Sequence, residues 1–69
     1  MSTIEIEVNG KKVEIKAEST IQDFIIERKV TGKMFVIEKN LKIVQKDEYK
    51  TENLVEGDKI EIVGFFGGG

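Results

Sequence analysis

The chain contains neither cysteine nor histidine in its 69 residues. The first absence excludes disulfide staples and thiolate metal sites, and the second removes the commonest metal ligand and acid–base group. No apolar run approaches the ~20 residues that a membrane-crossing helix needs. The opening MSTIEIEVNG alternates charges with aliphatics and does not read as a secretory signal. Charge of one sign is also lacking. Eleven lysines and arginines stand against 13 aspartates and glutamates, a net −2, which argues against a general nucleic-acid binder. These absences lead us to expect a soluble, cytoplasmic, single-domain protein with no membrane and no nucleic-acid partner. Its size is near the lower limit for one self-sufficient core, so the 39% of hydrophobic residues must supply the stability.

What is present begins with STIEIEVNGKKVEIKAE. Ile4, Ile6 and Val8 alternate with Thr3, Glu5 and Glu7, giving one apolar face at period 2. Asn9-Gly10 tolerates the positive φ of a two-residue turn, and Val13 and Ile15 resume the alternation. A hairpin is expected, with opposite charges able to pair weakly across its outer face. In STIQDFIIERKVTG the period changes. Ser19 with Gln22, or Thr20 with Asp23, can form a capping box. Ile21, Phe24 and Ile25 make a helical stripe that Ile26 widens. Arg28 and Lys29 suit the last turn, and Gly32 is the expected stop.

KMFVIEKN is an almost continuous apolar run, as expected of a strand buried on both faces. Ile43 and Val44 read as a short strand, KDEYKT as a turn or single helical turn, and Leu54 as an inserted core residue. Glu56-Gly57-Asp58 reads as a turn. Beyond it Ile60 and Ile62 point inward and Glu61 outward. The expected fold class is α+β: a mixed sheet of four to five strands with one main helix on one face. That is a β-grasp arrangement, with the crossover rule setting the strand around Phe35 parallel to the first strand. The other face of the sheet is left without a helix.

Enzymatic readings find little to stand on. The serines at positions 2 and 19 fall in a terminus and at an expected helix cap, and Glu5, Glu7, Glu14 and Glu61 occupy outward strand positions that read as a solvated face. A phosphate-binding glycine loop needs a helix after it, and nothing follows Gly67, Gly68 and Gly69 here. A bare triglycine end is either a frayed terminus or a deliberately slim and flexible one. In the second case the reactive group is the α-carboxylate of Gly69, ionised at neutral pH. Five residues from Phe65 reach at most about 17 Å when extended, enough to thread a channel. A carboxylate accepts a sulfur or amine nucleophile only once its oxygen is a leaving group, so an ATP-dependent adenylating partner is implied.

The hairpin VNGKKVEI, the helix start TIQDFI, the middle VIEKNLKIVQKDEY and the close GDKIEIVGFFGGG together resemble the ThiS family of sulfur carriers in thiamine biosynthesis, over nearly the whole length. The resemblance implies a ubiquitin-like β-grasp domain over 1–66 and a flexible glycine tail over 67–69. It further implies that Gly69 is adenylated by a ThiF-like enzyme using ATP and converted to a thiocarboxylate. Sulfur would come indirectly from a cysteine desulfurase and pass to a ThiG-like thiazole synthase. Gly67 and Gly68 would complete the tail, no cofactor would be bound, and the chain would be a cosubstrate and not a catalyst.

For the partner surface, alternation puts Phe65 on the side of Glu61 and Val63, and Phe66 on the other. Between the pairs Met34, Val36 and Phe35, Ile37, one should face the helix and the other the uncovered face. We take Met34, Val36, Val63, Phe65 and Phe66 as the candidate contact residues, with core filling the competing role for the aromatics. Three other functions share the fold. A MoaD-like carrier for molybdopterin synthesis differs in its acceptor, although such chains are usually longer in the middle and often carry prolines, which this one lacks. A protein modifier or tRNA-thiolation carrier would use the same activated glycine. A non-chemical β-grasp interaction domain would have no use for the glycine end.

Overall fold

The computed structural model of the chain describes residues 2–30 and 34–65, with Phe65 defined by its backbone alone. Strands β1 (Thr3–Val8) and β2 (Lys11–Lys16) form the expected antiparallel hairpin, with Ile4 opposite Ile15 and Ile6 opposite Val13. Its turn residues both take positive φ, 50° at Asn9 and 86° at Gly10. This mirror-image turn matches the twist of the strands it joins. On the outer side Glu7 faces Lys12, but Glu5 faces Glu14. Charge pairing across the hairpin is therefore attractive at one position and repulsive at the next.

Helix α1 (Ile21–Glu27) starts at Thr20, whose Oγ1 accepts the Asp23 amide at 3.1 Å, while Asp23 Oδ2 accepts the Thr20 amide at 3.0 Å. Ser19 instead donates its hydroxyl to the Lys16 carbonyl. At the other end, Arg28 is the cap and Lys29 turns left-handed, with φ 54°. The Lys29 amide donates to Ile26 and the Val30 amide to Ile25, the paired bonds of a Schellman ending with lysine in the place usually held by glycine. Arg28 and Lys29 thus follow the last turn, and the expected stop at Gly32 lies outside the described residues. Ile21 and Phe24 are buried, but Ile26 is exposed and does not widen the stripe.

The remaining elements are β3 (Met34–Lys39), β4 (Lys42–Val44), a 3-10 turn over Lys46–Glu48 and β5 (Lys59–Phe65). The five strands lie in the order β2-β1-β5-β3-β4. The last strand is central, parallel to β1 and antiparallel to β3. So β3 runs opposite to β1, contrary to the expectation from the crossover rule. The reason is geometric: a crossover helix makes the strand after it parallel to the strand before it, which is β2, and β2 is antiparallel to β1. Nor is β3 buried on both faces. Its residues alternate, with Ile37 fully buried and Met34 and Val36 exposed, because only one face of the sheet is covered.

On the covered face Ile6, Ile15, Ile37, Val44 and Ile60 meet Ile21 and Phe24 of α1. Tyr49 and Leu54 complete this core from the irregular segment before β5. The same segment satisfies the helix start: the Ile21 amide donates to the Glu52 carbonyl and the Gln22 amide to that of Tyr49, both at 2.9 Å. Those amides would otherwise lack intrahelical acceptors. At the entrance to β5, buried Asp58 accepts the Val55 amide and Asn40 Nδ2, each at 2.9 Å. Asn40 Oδ1 accepts the Lys59 amide, tying the β3–β4 turn to the start of the last strand.

Candidate docking face and carrier terminus

Alternation along β5 buries Ile60, half-buries Ile62 and leaves Glu61 and Val63 exposed on the face opposite the helix. The register with β3 sets Glu38 opposite Glu61, Val36 opposite Val63, and Met34 opposite Phe65. Directly opposed residues share a face, so three of the expected contact residues form one open strip. Met34 is 65% exposed, Val63 58% and Val36 42%. Phe65 holds the next register position, and its side chain, with Phe66 and the glycines Gly67, Gly68 and Gly69, lies outside the described residues.

Ile43 extends the exposed apolar surface, at 58% exposure and opposite Glu38 on β4. Its place in a strand is legible in the sequence, but its face is not. Its direction follows once Asn40-Leu41 is taken as a two-residue turn, since Lys42 then pairs with Lys39 and Val44 must face inward.

The strip is bordered by like charges. At one end of it Glu38 and Glu61 stand directly opposite each other, an arrangement that destabilises a sheet in isolation. Among the described residues the ion pairs are those of Lys39, with Glu52 at 2.7 Å and Asp58 at 3.8 Å, and neither neutralises this border. An apolar strip with an acidic edge complements a surface that presents apolar residues among basic ones. It also lies on the strand that leads into the tail. Among the described residues no helix is long and apolar enough to cross a membrane.

Comparison with known proteins agrees with this architecture. A sulfur carrier protein ThiS from Bacillus subtilis is 38% identical over 65 residues, covering 93% of this chain and 98% of that protein. A thiazole synthase from Paramagnetospirillum magneticum is 37% identical over 62 residues, which is 90% of this chain but 19% of the enzyme. The crystal structure of the thiamine biosynthesis protein ThiS from Geobacter metallireducens superposes with a TM-score of 0.83 over 96% of this chain and all of that one, at 22% identity; this shows the shared fold. The ThiS family model matches residues 3–69, and the chain belongs to the ThiS family.

Proposed function

We propose that this chain is a sulfur carrier, a cosubstrate and not a catalyst, whose Gly69 is adenylated and then converted to a thiocarboxylate that supplies sulfur for thiazole formation. The observation that carries the reading is the position of the exposed Val36–Val63 pair on β3 and β5, six residues before Gly69. A partner docked on that face holds the base of the tail, and the glycines can enter its active site without side chains to obstruct them.

The chemistry assigned to the partner follows from the carboxylate. A Gly69 oxygen attacks the α-phosphorus of ATP, pyrophosphate leaves, and the resulting mixed anhydride makes AMP a good leaving group. A persulfide sulfur, formed from cysteine on a desulfurase, then displaces AMP at the carbonyl carbon, and a thiol reduces the resulting acyl disulfide to the thiocarboxylate, the thiol being oxidised to a disulfide. The chain's contribution is to present the carboxylate, while a ThiF-like enzyme provides the nucleotide site. Support for a ThiG-like acceptor comes from the relative in which a matching segment makes up 19% of a thiazole synthase. One polypeptide there joins a domain of this kind to the enzyme named for the thiazole.

Deletion of Gly69 tests the assignment. The shortened chain should melt like the full chain, since no described core contact involves the tail, but should no longer support ATP–pyrophosphate exchange by the adenylating enzyme. Exchange at the full rate with the shortened chain would refute it.

A further inference from the structure

Three described glycines differ in what they are for. Gly10 and Gly57 have positive φ, 86° and 87°, and open space where a side chain would be. Gly64 has no positive φ. A Cβ there would stand 2.5 Å from the Met34 carbonyl oxygen and 2.8 Å from both Cα and Cβ of Phe35. Real Cβ atoms do not come that close to their neighbours, and two of the three are backbone atoms that can yield only if the strand moves. Gly64 is therefore required by the closeness of β5 to β3 and not by its own torsion angles.

The strand pattern explains the closeness. The Ile62 amide points toward β1, where it donates to Asn9 Oδ1, so by alternation the amide and carbonyl of Gly64 point the same way. Phe35 and Gly64 then form the narrow, non-hydrogen-bonded type of antiparallel pair, in which Cα atoms are nearest. Beyond it, among the described residues, stands the pair of Met34 with Phe65.

We propose that Gly64 is a positioning residue for the carrier terminus: by lacking a side chain it lets β5 lie against β3 as far as Phe65, which pairs with Met34. This rests on the sulfur-carrier reading. A methyl group at 64 would push the strands apart at the last described pairs and free Phe65 from Met34, so that the segment carrying the carboxylate would no longer start from a fixed point. The Val36–Val63 pair lies before the disturbance, so docking would lose at most the share of Phe65 and Met34, while delivery of the carboxylate would suffer more.

The experiment compares the full chain with Gly64→Ala and Gly64→Ser, by cross-strand NOEs and by adenylation kinetics with the chain as varied substrate. Both variants should keep the Ile37–Ile62 NOEs and lose those between Met34 and Phe65. The kcat for adenylation should fall about tenfold or more, as misplacement on the order of 1 Å can cause, while KM should rise no more than it does in Phe65→Ala, a variant whose kcat should stay near that of the parent. Retention of the Met34–Phe65 NOEs, or an unchanged kcat, would overturn the role. Loss of the Ile37–Ile62 NOEs in both variants would also overturn it, because the glycine would then serve the whole sheet. A parent chain that is not adenylated at all removes the carrier reading itself, a result distinct from equal turnover by parent and variants.

Discussion

Asn9 accepts the Ile62 amide through its side-chain oxygen at 2.8 Å while its own amide donates to the Ile60 carbonyl at 2.9 Å. The parallel ladder between β1 and β5 ends at Val8 and Ile60, so the asparagine side chain acts as one further rung. The residue that makes the first turn thus also extends the pairing of the last strand.

Asn9→Gly removes that acceptor while keeping the positive φ, and glycine's larger entropy loss on folding adds to the cost. Stability in denaturant melts should fall by at least about 1 kcal/mol, the usual net worth of one such bond, and the Ile62 amide should exchange faster. Unchanged exchange at Ile62 would show that the bond carries no weight in solution.

The second hairpin turn is less well suited to its sequence. Leu41 is 89% exposed and left-handed at φ 72°, a conformation that costs a residue with a Cβ roughly 1–2 kcal/mol. Leu41→Gly should raise stability by about 0.5–1 kcal/mol after glycine's larger entropy loss is deducted. A melt showing lower stability would mean that Leu41 makes a contact its exposure does not reveal.

Burial of Tyr49 sets an alkaline limit on stability. Desolvation raises its phenol above the ordinary 10.0, so near and above that pH the unfolded chain releases the proton more readily than the folded one. The contribution is complete below about pH 10 and is lost as pH rises through the raised folded value. Chemical denaturation from pH 8 to 11 should show the decline in the parent and a flatter profile in Tyr49→Phe. Equal slopes would remove Tyr49 as the cause.

Much of this was legible from local pattern. The hairpin, the helix and the inward Ile60 and Ile62 follow from period and turn chemistry, which act over a few residues. The direction of β3 was not, because it depends on which strand the crossover refers to, a relation between β2 and β3 across the helix. Tyr49 and Asp58 read as parts of turns, since their burial arises only when the segment from 45 to 58 closes over the helix start and the Asn40 turn. On the uncovered face, the fold class implied only that either Met34 and Val36 or Phe35 and Ile37 would be exposed; that it is Met34 and Val36 depends on the register with β5, and the exposure of Ile43 needed the exact turn.

The open strip should be dispensable for folding and necessary for docking. Val63→Asp should change stability by no more than about 0.5 kcal/mol, as exposed substitutions usually do, yet weaken binding to the adenylating enzyme by more than about 1 kcal/mol. Phe65→Ala should cost well under the ~3–5 kcal/mol of a buried phenylalanine truncation, with a comparable loss of affinity. Titration calorimetry and melts on the same samples measure both. If Phe65→Ala unfolds the domain while the folded fraction binds normally, Phe65 belongs to the core.

The central claim concerns the last carboxylate, and intact mass spectrometry addresses it directly. The full chain and a chain lacking Gly69 would be incubated with ATP, an adenylating enzyme, a desulfurase and cysteine, in a mixture shown to load an authentic ThiS. The full chain should gain the mass of one oxygen replaced by one sulfur, with fragmentation placing the change at Gly69, and the shortened chain should not change. An unaltered full chain, or the same gain in the chain without Gly69, would contradict the account.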